Sequence, residues 1–393
     1  MRETAYTCDR ILPADCHLLY TLRFIHMKNA LFLALATAVF TWTPSALAQG
    51  QDDSLLPIGV TQHLARGFTW AAAGGGAESP GWDWTRPDAM APAGVSHSRP
   101  VAEGQWRLSY TLEIQEFGGL RDGRDDLANG ALFSSGFSTL PSEATFQTRS
   151  LNVQHGLGDG WSVFGTLPLI DREMVNLTGM GASSFTSRSS GIGDVSLGAA
   201  YELIVCNGRL LRLNLGMSLP TGSVDERDTD ENGASFLLPY AMQRGTGTHD
   251  LLPGVTMIFQ EPSWSWGVQA QARVHMGTNS EGWSWGPSME TSAWASRGWT
   301  ESVSTSLRLM GDFSSDLHGD ADDASPFRNP LEATGAQGGD RLDIAGGVQW
   351  LLDDRPGVSN LLSLELALPV DEWVKGPQLS TDWRLVLGWQ WSF

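Results

Sequence analysis

Residues 381–393 read TDWRLVLGWQWSF and alternate strictly between two kinds of side chain. The odd-numbered positions from Thr381 to Phe393 are rich in Trp and Leu, whereas the even-numbered positions include Asp382, Arg384 and Gln390. A period of two predicts a β-strand, because successive side chains point to opposite faces. An apolar outer face over a polar inner face is typical of a transmembrane β-barrel. An edge strand of a soluble sandwich is the alternative that this stretch leaves open.

The N-terminal region predicts export. From Met27 the chain reads MKNALFLALATAVFTWTPSALAQG, in which Lys28 precedes an apolar run and Ala46-Leu47-Ala48 forms a small-residue cleavage site. These features predict a cleavable secretory signal peptide at 27–48, cut after Ala48. Residues 1–26 are then interpreted as a misannotated upstream extension.

Composition narrows the function classes. The formal charge of −19 argues against nucleic acid as a partner, because phosphates would be repelled. Of the three cysteines, Cys8 and Cys16 precede the signal peptide, so Cys206 alone cannot form an internal disulfide. No apolar run of about eighteen residues follows the signal, which leaves a closed barrel as the membrane-spanning alternative.

The alternation seen at the C-terminus recurs from residue 104 onward. It predicts an all-β, transmembrane, antiparallel up-and-down β-barrel of about twelve strands at 104–393. The predicted connections alternate between short turns and long loops, including long ones at 116–143, 171–190, 220–247 and 371–380. Residues 49–103 lack this pattern and are expected to form an irregular periplasmic lead-in or partial plug.

Aromatic residues cluster beside the predicted short turns. Interfacial girdles of membrane barrels place amphipathic rings at this level. The residues are Trp106, Trp161, Trp264, Trp299, Trp350, Trp389, Trp391 and Phe393.

Charged side chains share the predicted inner face of the barrel. They would set the field of a polar channel, or form an ion-pair network that fills a narrow, closed barrel. The predicted lumen residues are Arg107, Glu113, Arg149, Asp194, Glu202, Arg212, Arg273, His275, Glu290, Arg308, Asp343, Glu365, Asp382 and Arg384.

One long loop resembles the start of a calcium loop. Asp228, Asp230 and Asn232 alternate before Gly233, as oxygen ligands do in such loops. The twelfth position is Pro239 instead of a bidentate glutamate, so the motif is incomplete and a solvated acidic loop is the simpler interpretation.

Catalytic motifs give little support for an enzyme. The chain has no G-x-S-x-G elbow and no H-E-x-x-H helix. A membrane-embedded lipid hydrolase would need a Ser–His pair, for which His155 is the candidate, although an interfacial histidine beside a short turn is the simpler explanation. No enzyme activity and no cofactor are therefore predicted.

Several motifs resemble a known family. Residues 213–223 (LNLGMSLPTGS), 238–254 (LPYAMQRGTGTHDLLPG) and 376–383 (GPQLSTDW) are similar to outer-membrane barrels classed as transporters, related to the "MetA-pathway of phenol degradation" proteins. The resemblance spans about residues 88–393. It implies a barrel in the bacterial outer membrane and leaves the solute unspecified.

The leading functional hypothesis is a channel for a small solute. A structural or surface-interaction barrel with acidic, divalent-cation-binding loops is the alternative, and the lipid hydrolase is third. The expected partners are outer-membrane lipids, lipopolysaccharide and the barrel-assembly machinery, since the terminal Phe393 looks like the assembly signal of outer-membrane proteins.

Overall fold

The computed structural model describes residue 83 and residues 85–206, 208–321, 324–325, 328–355 and 358–393. The expected upstream extension at 1–26, the signal peptide at 27–48 and most of the lead-in at 49–103 lie outside the described residues. The predicted barrel region is described almost throughout.

Strands dominate the described chain. In chain order they are β1 (Trp106–Gly123), β2 (Asp125–Leu127), β3 (Leu140–Gly158), β4 (Trp161–Thr178), β5 (Ser183–Ile192), β6 (Ser196–Cys206), β7 (Arg209–Ser218), β8 (Arg227–Thr229), β9 (Ser235–Leu237), β10 (His249–Gln260), β11 (Trp264–Met276), β12 (Ser288–Gly298), β13 (Val303–Ser314), β14 (Gly339–Arg355) and β15 (Val358–Ser392). Helix α1 covers Asn129–Ser134, and single 3₁₀ turns lie at Pro87–Ala89, Gly179–Gly181, Tyr240–Met242, Pro330–Glu332 and Thr334–Ala336. Within the described residues, no helix has the length and apolar character needed to cross a membrane.

Eleven of these strands form a closed antiparallel ring. The order is β1, β3, β4, β6, β7, β10, β11, β12, β13, β14 and β15, and β15 pairs again with β1. In this closing contact Arg107 lies opposite Ser392, and Gly123 lies opposite Val374. Strands β2 and β5 pair at the margins of the ring, while β8 and β9 form a separate hairpin. The all-β antiparallel barrel predicted from the sequence is therefore confirmed.

Strand β15 accounts for the difference from the predicted strand number. It is 35 residues long, and its residues 358–374 pair with β14 while Val374 and residues 378–392 pair with β1. Gly376 lies between these two stretches with a φ of 78°, which glycine adopts without a steric penalty. The expected loop at 371–380 is instead continuous strand.

The wall also extends further than predicted between β4 and β5. Residues 171–190 were expected to form a long connection, but β4 continues to Thr178, which pairs with Ser183 of β5. Asp171, Arg172 and Glu173 are consecutive charged residues here, so the two-residue apolar alternation that identified the other strands is missing.

The ring strands are apolar outside and polar inside. On β7, Leu213 and Leu215 are 43% and 58% exposed, whereas the alternating Arg212 and Ser218 are fully buried. The inward side chains therefore enclose the core of the molecule, and the outward side chains form an exposed apolar surface.

The two ends of the barrel differ. One end carries tight turns, such as that between β3 and β4, where Asp159 and Gly160 have φ of 49° and 79°. At the other end the loops at 219–248, 277–287 and 315–338 pack on one another around Tyr240 and Trp283. We call these three segments the loop cluster. Its Met242 contacts the inner wall beside Met174, so the described loops fold inward over this end.

Candidate functional site

Residues 87–101 lie inside the barrel and are here called the plug segment. Inward side chains of the wall donate hydrogen bonds to its backbone carbonyls, which an irregular segment leaves without strand partners. Ser304 Oγ donates to the carbonyl of Pro87 at 3.0 Å, and Gln269 Nε2 donates to that of Ser96 at 2.8 Å. Ser265 and Gln349 donate to Asp88 and Ala91 in the same way. The wall thus holds the plug segment mainly through its backbone.

Apolar contacts add to this attachment. Val95 packs against Leu210, Ile258 and Trp294 of the wall. Met90 packs against Leu351 and Leu361 in a second cluster. Burial of a side chain of this size stabilises the bound segment by about 1.5–3 kcal/mol relative to an exposed one.

His97 is a titratable residue of the plug segment that packs against the inner wall. Its ring stacks on Phe164 with centroids 4.0 Å apart, and Gln154 Nε2 donates to its Nδ1 at 3.2 Å. Burial lowers the pKa of His97 to about 4, and the nearby positive charge of Arg212 contributes in the same direction. The ring is therefore neutral at pH 7.

A polar chamber of about 460 Å³ lies beside the plug segment, inside the ring. Its lining includes two carboxylates, Glu113 and Glu290, and three guanidinium groups, Arg99, Arg107 and Arg273. Hydroxyl and amide side chains supply much of the remaining surface, among them Ser109, Thr111, Asn152, Thr166, Asn214 and Gln390. A cavity of this size and composition suits a small polar molecule.

Charged side chains on β1, β12, β13, β14 and β15 form one network, here called the acidic wall. Arg308 pairs with Glu365 at 2.8 Å, and each side chain is 1% exposed. Arg341 pairs with Asp312 at 2.6 Å and Asp343 at 3.1 Å. Arg384 lies 3.7–4.0 Å from three carboxylates. The acidic wall consists of Glu113, Glu290, Arg308, Asp312, Arg341, Asp343, Glu365 and Arg384.

A second set of charged pairs lies on other strands. Arg212 binds Glu202 at 2.8 Å. The buried Asp250 binds Arg273 at 3.1 Å and His275 at 2.9 Å. These contacts join neighbouring strands and give each of these buried charges a partner, without which it would be strongly destabilising.

Asp194 connects the wall to the loop cluster. It lies in the connection between β5 and β6, outside the strands. Its carboxylate accepts hydrogen bonds from the backbone N–H groups of Gly222 at 2.8 Å and Thr246 at 2.7 Å. The residue therefore anchors the ends of the long loop at 219–248.

Besides Asp194, two of the predicted lumen residues have other positions. Arg149 shares a face with the exposed Leu151 and lies 3.9 Å from Asp171. Arg149 therefore lies on the outer face. Strand β3 pairs with β1 and β4 without a register shift around this residue, so alternate residues stay on the same face.

Asp382 is displaced by an irregularity in the barrel wall. Glu116 pairs with Trp383 while the next residue, Phe117, pairs with Thr381, so Asp382 is the extra residue of a β-bulge. Its side chain is exposed, and the buried Thr381 instead accepts a hydrogen bond from Arg341 at 2.8 Å.

The calcium candidates lie on the β8–β9 hairpin. Asp230 Oδ1 accepts hydrogen bonds from the backbone N–H groups of Asn232 and Ala234, and Asp228 Oδ2 accepts one from that of Arg188. Across the described part of the chain, no three His, Cys, Asp or Glu side chains are grouped as a metal site requires. A calcium site here stays a prediction.

His155, the hydrolase candidate, contacts neighbouring residues at the same end of the barrel. Its ring stacks on Trp106 with centroids 4.2 Å apart, and its Nδ1 lies 3.0 Å from the carbonyl oxygen of Gln105. These contacts fit the interfacial role and provide no serine partner for hydrolysis.

Some residues of the site were missed from the sequence. Asp312 shares the parity of Arg308 on β13, so the alternation alone was sufficient to find it. Gly94 and His97 were not singled out, because the plug segment has no periodicity and its contacts come from distant strands.

No protein-family model and no curated protein matches the chain. The fold is similar to that of an outer membrane channel from Pseudomonas putida F1, with a TM-score of 0.54 and 13% identity over 76% of this chain and 99% of the channel. A FadL homologue of Pseudomonas aeruginosa matches with a TM-score of 0.34, 10% identity and 81% and 95% coverage of the two chains. The CymD monoaromatic hydrocarbon channel matches with a TM-score of 0.32, 9% identity and 74% and 88% coverage. The first likeness shows a shared barrel fold.

Proposed function

We propose that this protein is an outer-membrane channel through which a small polar solute crosses the barrel lumen. The observation that carries the proposal is the 460 Å³ polar chamber inside a barrel whose outer face is apolar. A barrel that only anchored loops would gain nothing from an internal space lined by polar side chains, since polar groups are costly to bury unless each is hydrogen-bonded.

The outer face supports a membrane location. Trp106, Trp161, Trp264 and Trp299 are 43–59% exposed and lie beside the short turns, where an interfacial girdle is expected. We propose that this end faces the periplasm, that the chain is exported by the signal peptide at 27–48, and that cleavage follows Ala48.

We further propose that β15 crosses the membrane twice. A strand of 35 residues would extend about 115 Å at about 3.3 Å per residue, far beyond an apolar band of about 25 Å. With a reversal at Gly376, the eleven ring strands cross the membrane twelve times. Both ends of the barrel region then lie on the periplasmic side. The proposed partners are membrane lipids and lipopolysaccharide around the barrel, and the assembly machinery at Phe393.

Solute passage requires movement in this protein. The plug segment occupies the lumen from the short-turn end, and Met242 and Leu331 of the loop cluster contact the inner wall at the other end. We propose that displacement of the plug segment opens the path, because the wall holds this segment mainly through hydrogen bonds to its backbone carbonyls and through two small apolar clusters.

Planar-bilayer recording tests the channel. The purified full-length chain is expected to show brief openings, and a variant that lacks residues 87–101 is expected to show larger and longer ones. A gel shift on heating, typical of folded barrels, controls for assembly of both proteins. Absence of current in both folded proteins, together with normal solute uptake in a deletion strain, would contradict the proposal.

The closed ends favour one alternative. A structural barrel would keep both ends covered permanently, and the loop at 219–248 carries Asp225, Glu226, Asp228, Asp230 and Glu231 for divalent cations bound to lipopolysaccharide. Under this alternative, neither protein passes current in the bilayer. A strain that lacks the protein should have a more permeable outer membrane, and chelation of divalent cations should have the same effect.

A further inference from the structure

We infer that the chamber selects a small organic cation that carries N–H donors and a hydroxyl group. The inference rests on the proposed channel function and adds the chemical class of its solute. Its basis is the balance of occupied and unoccupied hydrogen-bonding groups on the chamber wall.

The guanidinium groups that line the chamber are already engaged. Arg107 donates to the carbonyls of Arg99 and Pro100 and to the side chains of Gln154 and Ser392 at 2.5–3.2 Å. Arg273 donates to the buried Asp250 at 3.1 Å, and Arg99 donates to Ser359 at 3.1 Å. The donors of Arg107 are therefore largely occupied, and the charge of Arg273 is neutralised by Asp250, so these two groups attract an anionic solute only weakly.

The two lining carboxylates retain free acceptor positions. The guanidinium nitrogens paired with Glu290 lie 3.8 Å and 4.0 Å away, beyond a good hydrogen bond, and its side chain is 36% exposed. Glu113 accepts a hydrogen bond from Gln115 at 2.8 Å. An ionised carboxylate offers about four acceptor positions, so both groups can bind an ammonium or guanidinium donor.

Asn214 gives independent evidence for a missing donor. It lines the same chamber, is 8% exposed, and its Oδ1 has no hydrogen-bond partner. A buried acceptor without a partner costs about 1–3 kcal/mol, which an N–H group of a bound solute would offset. Gln390 Nε2 is an unpaired donor on the same lining and fits the hydroxyl oxygen of that solute.

The surrounding field favours the same class. The acidic wall contains five carboxylates and three guanidinium groups, so it has a surplus of negative charge when all of them are ionised. The chain as a whole has a formal charge of −19. A field of this sign concentrates cations at the barrel and accelerates their entry.

Isothermal titration calorimetry of the full-length protein with three matched probes tests the inference. The probes are aminobutanol, butanediol and hydroxybutyrate, which are similar in size and differ in charge. We expect aminobutanol to bind at least about tenfold more tightly than the other two, as a single charge-assisted contact of about 1.4 kcal/mol requires. Glu290→Gln should weaken the binding of aminobutanol at least tenfold. Glu301 is an exposed acidic residue between β12 and β13, and Glu301→Gln should leave the binding unchanged.

The outcomes separate this inference from the channel proposal. Liposome swelling measures passage of the same probes independently of binding. Swelling without charge preference, or binding of calcium chloride in place of aminobutanol, would overturn the organic-cation class and leave the channel intact. Selective binding of aminobutanol without swelling would support the site and count against transport.

Discussion

Gly94 of the plug segment lies against the guanidinium of Arg308 on β13, with no space between them for a β-carbon. A Cβ at Gly94 would also lie 2.8 Å from Oε1 of Glu365, the carboxylate that pairs with Arg308. Both charged side chains are 1% exposed, so neither can move aside without leaving its partner unpaired in the interior. Seating of the plug segment therefore requires glycine at this position.

Replacement of Gly94 by leucine should displace the plug segment without unfolding the barrel. The expected result is a higher open probability in planar-bilayer recordings, because the bulky side chain excludes the segment from its site above Arg308. The matched control is Gly346→Leu on β14, where a Cβ meets nothing within 4 Å. Equal conductance of Gly94→Leu and the unmodified protein would show that the plug does not limit the pore.

Acidification should also release the plug segment. Burial holds the pKa of His97 near 4, below the unperturbed 6.5, so the neutral ring is favoured in the docked state. The contribution of the neutral His97 ring to the free energy of docking is complete above pH 6.5 and is lost as the pH falls towards 4. At pH 5 the loss amounts to about 2 kcal/mol, or roughly thirtyfold in the docking equilibrium.

The measurement is open probability between pH 7 and pH 5. Arg107, Arg212 and Glu202 are charged groups near the His97 site, so a variant without the imidazole is needed to separate its response from theirs. His97→Asn keeps a residue type that tolerates the φ of 53° at this position and removes the titration. A pH response that persists in His97→Asn would assign it to another group.

The strands could be predicted because one simple rule governs them. On β7, β11 and the end of β15 the outward residues are apolar and the inward ones polar, and this contrast depends only on sequence neighbours. The rule fails where the contrast disappears, as at Asp171–Glu173, and where a bulge shifts the parity, as at Asp382. A bulge depends on how two strands pair, which one strand's sequence does not encode.

The site could be predicted only in part. The inward charges of β13, β14 and β15 followed from parity, but their partners depend on strand register. The plug segment was expected to pack somewhere in the barrel, while the contact of Gly94 with Arg308 joins positions more than two hundred residues apart. Such long-range contacts leave no local periodic signal.

Loss of a side chain in the loop cluster should loosen the long loop at 219–248. Met242 is fully buried against Ala144, Met174 and Leu331, so Met242→Ala should destabilise the folded position of the loop by about 2–5 kcal/mol. Limited trypsin digestion should then cut faster at Arg227 and Arg244. Met217→Ala on the outer face, where the side chain is 40% exposed, is the control and should leave the cleavage rate unchanged.

Deletion of Phe393 should impair insertion into the outer membrane and leave export intact. The backbone of Phe393 exchanges two hydrogen bonds with Trp106, of 2.9 Å and 2.8 Å, at the seam where β15 meets β1. Its ring lies 4.3 Å from that of Trp391, on the exposed face. The deletion removes the last contact of the closing seam together with the proposed assembly signal. Fractionation should find the variant exported but poorly folded, whereas Phe393→Tyr, which keeps the ring and both backbone bonds, should insert. Normal heat-modifiable migration of the deletion variant from the outer-membrane fraction would contradict a role for Phe393 in barrel closure.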